Sequence, residues 1–203
     1  MNTWLNLKDK IIIVTGGASG IGLAIVDELL SQGANVQMSD IHGGDKHQDR
    51  DNYNFWPTDI SSASEVNKTV DSIIQRFGRI DGLVNNAGVN FPRLLVDEKA
   101  PSGRYELNEA AFEKMVNINQ KGVFLMSQAV ARQMVKQRSG VIVNVSSESG
   151  LEGSEGQSCY ARDQSRAEQL YPLLVERAGQ ARYSRRRRCA GHSGKNRAAY
   201  AGI

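Results

Sequence analysis

A glycine-rich turn near the N-terminus constrains the fold of this chain more than any other feature. Residues 15–22 read TGGASGIG, between an apolar, β-branched run at 10–14 and a segment with helical apolar spacing at 23–30. Strand, turn and helix in this order predict the first βα unit of a dinucleotide site. The glycines let the backbone approach a pyrophosphate, and the helix N-terminus offers it N–H groups. No Lys-Ser or Lys-Thr pair follows, which argues against a nucleoside-triphosphate loop.

Four further short apolar runs predict the other strands of a sheet. They cover residues 35–39, 53–56, 81–84 and 140–145, with helical segments between them. Strands and helices that alternate in this way indicate an α/β fold with a doubly wound parallel sheet. Ligands of such sheets bind at the carboxyl ends of the strands. The residues that fall there are Gly16, Asp40, Asp59 and Asn86.

The helix after the third strand has signals at both ends. Ser61 or Ser62 can cap its N-terminus, and Glu65 is placed to complete a capping box. Gly78 follows the last apolar residue and predicts the C-terminal end of the helix.

Asp40 closes the second predicted strand, where such folds meet the adenosine ribose. A carboxylate there accepts hydrogen bonds from the ribose hydroxyls and repels a 2′-phosphate, which favours NAD over NADP. His42 and Lys46 follow closely and leave NADP open. An exposed loop acid without a ligand is the other interpretation of Asp40.

A long connection at residues 89–107 carries three cations, Arg93, Lys99 and Arg104. Such a loop beside a site often selects the substrate, and cations there suit a phosphorylated one. Solvated surface charge explains them equally well. Two helices are expected after the connection, and Asn119 lies at the start of the second.

Composition divides the chain into two parts. Residues 1–161 carry 15 Lys and Arg against 19 Asp and Glu, whereas residues 162–203 carry 10 against 3. The 203 residues fit one α/β domain, which we place at 1–161, followed by a basic tail at 162–203. Two cysteines imply no disulfide framework, and no apolar run is long enough to cross a membrane. We therefore expect a cytoplasmic protein.

Five motifs together resemble the short-chain dehydrogenase/reductase family: the glycine turn, Asn-Asn-Ala-Gly at 85–88, Asn119, Ser147 and Tyr160. The resemblance covers residues 7 to about 161 and implies a Rossmann-type domain, NAD as cofactor, a homotetramer and no metal. Tyr160 would be the general acid or base, Ser147 would hold the substrate oxygen, and Asn119 would hold a water in the proton path. The implied cofactor contacts are Thr15, Gly16, Ser19, Gly20, Ile21, Gly22, Asp40, Asp59, Asn86, Ala87 and Gly88.

Overall likeness within the family is to members that interconvert sorbitol 6-phosphate and fructose 6-phosphate, a sugar-alcohol phosphate and a ketose phosphate. The family has a lysine four residues after the tyrosine, whose charge favours tyrosinate. Position 164 of this chain is Gln. A neutral amide cannot supply that charge, so the resemblance implies impaired activity.

Beyond Ala161 the pattern of the family disappears. No sixth strand is evident, and four arginines at 185–188 stand where one is expected. Our hypothesis is that residues 162–203 are translated in a shifted frame, because dropping one base from suitable codons for 162–168 yields a lysine four residues after Tyr160. The tail itself predicts one weak helix followed by disorder.

The competing interpretation is a non-catalytic dinucleotide-binding protein whose basic tail binds nucleic acid. Residues 182–188 would supply phosphate contacts that weaken as salt rises. Tyr183 is the one aromatic residue among these arginines, which disfavours base recognition.

Overall fold

The computed structural model describes residues 6–43, 46–99, 103, 105–147, 149, 156 and 159–160. They form one five-stranded parallel sheet in the order β3-β2-β1-β4-β5. Its strands are β1 (Ile11–Thr15), β2 (Asn35–Asp40), β3 (Tyr53–Pro57), β4 (Gly82–Asn85) and β5 (Val141–Asn144). The helices are α1 (Gly20–Ser31), α2 (Ala63–Phe77), α3 (Glu109–Met115) and α4 (Val123–Gln137), with a π-helical segment (Val116–Gly122) between the last two.

Successive residues of β1 face opposite sides of the sheet, and both sides are covered. Ile11 and Ile13 belong to a core shared with α2 and α4. Ile12 and Val14 belong to a second core shared with α1. Side chains alternate along a strand, so a strand buried on both faces reads as a continuous apolar run. The predicted α/β doubly wound sheet is confirmed.

The predicted ends of α2 are confirmed, with one difference. The Ser62 hydroxyl accepts a hydrogen bond from the Glu65 amide at 3.5 Å, and Gly78 closes the helix with φ of 73°. The Glu65 carboxylate accepts from the Asp59 amide at 2.9 Å. Because Asp59 precedes the cap by three residues, the glutamate ties the end of the preceding loop to the helix instead of completing the box on Ser62.

Two helices follow the long connection as predicted, but the position predicted for Asn119, at the start of the second helix, is wrong. Helices α3 and α4 are joined without a break through the π-helical segment, and Asn119 lies inside that segment. A Cβ added to Gly122 would come within 2.7 Å of the Ile60 side chain, so the segment packs closely on the loop before α2. A π-helical segment differs from an α-helix in its backbone hydrogen bonds, which run from i to i+5, and apolar spacing alone does not identify that difference.

The edge strand β5 is buried on one face and partly exposed on the other. Ile142 is buried in the core with α2 and α4, whereas Val141 and Val143 are each 38% exposed. The two valines point to the opposite side, on which α1 covers the neighbouring part of the sheet. The predicted weak helix and disorder at 162–203 lie outside the described residues.

Replacing Ile73 tests the packing of α2 on the sheet. Ile73 is fully buried, so Ile73→Ala should lower the free energy of unfolding by about 2 to 5 kcal/mol through lost burial and a residual cavity. Val135 on α4 is 48% exposed, and Val135→Ala should change it by less than about 0.5 kcal/mol. Urea unfolding measures both, and equal effects would contradict this assignment of the core.

Candidate active site

The glycine turn packs against the end of β1 at a distance that only glycine permits. A Cβ on Gly22 would lie 1.9 Å from the Gly16 carbonyl oxygen. Gly16 has φ of 65°, and a Cβ there would meet the Ala87 Cα at 2.6 Å. These contacts place the first turn of α1 directly above the ends of β1 and β4.

Asn86 and Thr15 join the two turns. The Asn86 side-chain amide donates to the carbonyl oxygens of Thr15 and Gly16, at 3.2 and 3.0 Å. The Thr15 hydroxyl in return accepts from the backbone amides of Asn86 and Ala87, both at 3.1 Å. Thr15 is fully buried and lines neither cavity described below. Its hydroxyl therefore holds the backbone of the site in place without facing either cavity.

The N-terminus of α1 fits an anionic group. Ser19 precedes the helix without a side-chain cap hydrogen bond, and the first turn contains no acidic residue. A Cβ at Gly20 would meet no atom within 4 Å, so the space above the turn is open. Uncapped N–H groups at the positive end of a helix dipole suit a pyrophosphate.

Asp40 lies beside this turn at the end of β2. Its carboxylate accepts from the Ala18 amide at 3.1 Å and from the Ile41 amide at 2.7 Å. Asp59 lies in the loop after β3. Its carboxylate accepts hydrogen bonds from the amide and the hydroxyl of Ser61 at 2.8 and 2.7 Å. Backbone contacts therefore fix both carboxylates at the carboxyl edge of the sheet.

A groove of about 370 Å³ runs along this edge. It joins the glycine turn to both carboxylates and continues to the turn after β4. Of the predicted cofactor contacts, it is lined by Gly16, Ser19, Gly20, Ile21, Gly22, Asp40, Asp59, Asn86, Ala87 and Gly88.

A second cavity of about 300 Å³ continues from the groove. Ser147, Tyr160 and Asn119, the three predicted catalytic residues, all line it. The two cavities share five lining residues, so they form one continuous surface: Ile21, Asn86, Ala87, Gly88 and Val89. A dinucleotide with its adenosine beside Asp40 would place its other end in the second cavity.

Asn119 is held by the backbone after β4. Its amide oxygen accepts from the Val89 N–H at 2.9 Å, and its amide nitrogen donates to the Val89 carbonyl at 2.8 Å. The side chain is 3% exposed. Both polar ends of the buried amide are therefore paired with one residue, which fixes the π-helical segment against the cavity wall.

Sequence reasoning missed a side-chain bridge between β4 and β5. Asn85 and Asn144 are partners in the strand register, and the Asn85 amide donates to Asn144 Oδ1 at 2.7 Å and to Ser127 Oγ on α4 at 2.9 Å. Asn144 lies three residues before Ser147, and it lines the same cavity. A polar residue at the last position of an otherwise apolar strand was the available signal.

The cations of the long connection do not line either cavity where they are described. The Arg93 side chain bonds to the Pro92 carbonyl, and neither Arg93 nor Lys99 is among the lining residues. Arg104 lies outside the described residues. Phosphate recognition by this loop stays a prediction.

Within the described part of the chain, no group of three or more His, Cys, Asp or Glu side chains is arranged to hold a metal ion. None of the helices described has both the length and the apolar character needed to cross a bilayer.

The fold agrees with comparisons to known proteins. The family described as short chain dehydrogenase matches residues 10–162, and the chain belongs to that family. The crystal structure of gox2181 superimposes with a TM-score of 0.77 at 29% identity, over 88% of this chain and 70% of that one.

Two curated relatives show how the similarity is distributed. Sorbitol-6-phosphate 2-dehydrogenase of Klebsiella pneumoniae is 88% identical over 161 residues, which are 79% of this chain and 60% of that protein. The 3-oxoacyl-[acyl-carrier-protein] reductase FabG of Thermotoga maritima is 35% identical, over 77% of this chain and 63% of its own length. The chain thus spans about three fifths of the length of these relatives.

Removing the Thr15 hydroxyl should loosen the two turns. Thr15→Val leaves the Asn86 and Ala87 amides without their acceptor, which costs about 1 to 3 kcal/mol for each unsatisfied group. NADH binding should weaken along with the free energy of unfolding. Thr15→Ser keeps the hydroxyl and should retain most of both. Titration with NADH and urea unfolding test this, and equal behaviour of the two variants would refute it.

Proposed function

We propose that this protein is an NAD-dependent oxidoreductase that interconverts sorbitol 6-phosphate and fructose 6-phosphate, with impaired turnover. The observation that supports the substrate is the 88% identity to the Klebsiella sorbitol-6-phosphate 2-dehydrogenase. The continuous groove and cavity support the reaction class, because a dinucleotide and a small substrate would meet there.

The residues of the groove fit NAD. The N-terminus of α1 would take the pyrophosphate, and Asp40 would accept hydrogen bonds from the adenosine ribose. Asp59 would lie near the adenine, and Asn86, Ala87 and Gly88 would line the nicotinamide half. Bound NAD supplies the acceptor for the hydride that leaves the alcohol carbon.

The proton of the alcohol goes to a side chain. In oxidation Tyr160 would take the proton from the substrate hydroxyl, and in ketone reduction it would return it. Ser147 would donate a hydrogen bond to the same oxygen and stabilise its developing charge. Asn119, fixed on Val89, would keep the wall of the proton path in place and hold a water there.

We expect impaired turnover because of the residue at position 164. The side chain of a free tyrosine has a pKa of about 10, so a tyrosine base at neutral pH needs a neighbouring positive charge. Gln164 lies outside the described residues, and its neutral amide cannot provide that charge. Loss of acid–base assistance typically costs about 10² to 10⁴ in rate.

The division at residue 161, the shifted reading frame, the tetramer and the cytoplasmic location remain predictions of this proposal. The family match to residue 162 supports a change of character near that point. A basic tail that binds nucleic acid, the alternative, lies wholly outside the described residues, and no described feature favours it.

Turnover is tested with two forms of the chain. The chain as it stands should form NADH from sorbitol 6-phosphate slowly, and a form with residues 162–203 replaced by the shifted-frame sequence should be at least about 10²-fold faster. Gln164→Lys alone should restore little, because it restores the charge without a following strand. Unphosphorylated sorbitol serves as the control substrate. Turnover by neither form, with NADH binding intact, would overturn the activity and favour a non-catalytic protein.

Tyr160→Phe separates chemistry from binding. The variant removes the phenol oxygen and should lower turnover of the faster form by about 10² to 10⁴. Its affinity for NADH should stay within about twofold, since the groove residues are unchanged. Steady-state kinetics and an NADH titration measure the two effects, and unchanged turnover would remove Tyr160 from the mechanism.

A further inference from the structure

Two side chains of the β2–β3 loop, Lys46 and His47, contact one carboxylate on α1. The Lys46 ammonium lies 2.8 Å from Asp27 Oδ2, and His47 Nε2 lies 2.7 Å from Asp27 Oδ1. The His47 ring also packs edge-on against Tyr53, with 5.4 Å between ring centroids. The pKa of the Asp27 carboxyl lies below its usual value, mainly because Lys46 donates a hydrogen bond to it. Burial acts in the opposite direction, and the hydrogen bond with His47 lowers the pKa further.

The same loop starts at the adenosine end of the groove. It leaves β2 at Asp40, and Gly43 then lies so close to the glycine turn that a Cβ there would be 2.7 Å from the Ala18 Cβ. The Ala18 amide is the group that donates to Asp40. Thus the start of the loop adjoins the place for a ribose, and its middle is held by Asp27.

We infer that Asp27 is a specificity-determining residue for the dinucleotide, because it holds Lys46 on α1 and away from the ribose position beside Asp40. The inference rests on the proposed binding of NAD. With Lys46 held there, the Asp40 carboxylate dominates the charge facing the ribose, and a 2′-phosphate is repelled.

Lys46 can reach the ribose end once it is released. It follows Gly43 by three residues, and three extended residues span at most about 11 Å. A lysine adds a flexible four-carbon stem, and its ammonium is a point charge that binds phosphate well. Neither Lys46 nor His47 lines the groove as the loop now lies. Lys46, which the sequence leaves open as a partner of a 2′-phosphate, is therefore paired with Asp27 instead.

The experiment compares the affinities of NADH and NADPH for the full chain, by fluorescence titration. Asp27→Asn keeps the shape of the side chain and removes its charge. The matched control is Glu28→Gln, which removes the same charge from the adjacent residue of α1. Glu28 bonds to Gln32 within the helix, so its loss does not release the loop. Lys46→Met and the double variant Asp27→Asn with Lys46→Met complete the set.

In Asp27→Asn the preference for NADH over NADPH should fall by about three- to fivefold, a range limited by the partial exposure of the pair. Glu28→Gln and Lys46→Met should each leave the preference within about twofold, and the double variant should recover the original preference. A fall smaller than threefold in Asp27→Asn, or an equal fall in Glu28→Gln, overturns the inference. If Asp27→Asn does not fold, a loss of preference in Lys46→Met alone overturns it. Failure of the unsubstituted chain to bind either nucleotide overturns the proposed NAD binding, and the inference with it.

Discussion

The contact between Gly22 and the Gly16 carbonyl is the constraint on which the site depends. No side chain fits into a gap where a Cβ would lie 1.9 Å from an oxygen, so the helix can approach the strand end only through glycine. That approach brings the N-terminus of α1 to the mouth of the groove. It also leaves the Asn86 amide within reach of both Thr15 and Gly16. The glycines are required here for proximity as well as for their backbone angles.

The position of the site follows from the strand order. The chain builds the sheet outward from β1 in one direction and then returns to build β4 and β5 on its other side. The loops after β1 and β4 therefore diverge, and the space between them becomes the crevice in which ligands of such folds bind. The two cavities meet along the residues after β4, so one turn connects the groove to the cavity of the predicted catalytic residues.

Local sequence patterns predicted the fold, but they did not predict the side-chain contacts between residues that are distant in the sequence. The strands, the Ser62 cap and the Gly78 stop are each specified by a few neighbouring residues, and all are confirmed. The Asn85–Asn144 bridge depends on strand register across 59 positions, and the contact of Lys46 with Asp27 depends on how a loop folds back. The π-helical segment was missed for another reason: it is defined by its backbone hydrogen bonds, which apolar spacing in the sequence does not identify.

Binding and chemistry are separable in this chain because different segments supply them. The contacts that shape the groove come mainly from the turns after β1, β2, β3 and β4, and the hydrogen bonds that fix them are internal to the first half of the sequence. The proposed acid–base residue, Tyr160, and the proposed hydrogen-bond donor, Ser147, come from the segment that follows β5. That segment leads directly into the part that departs from the family pattern. Under the proposed function, a lost charge at residue 164 would remove assistance to the proton transfer without removing the residues that line the cofactor groove. The nucleotide preference, which we infer is set at the opposite end of the groove, would be retained in such a chain.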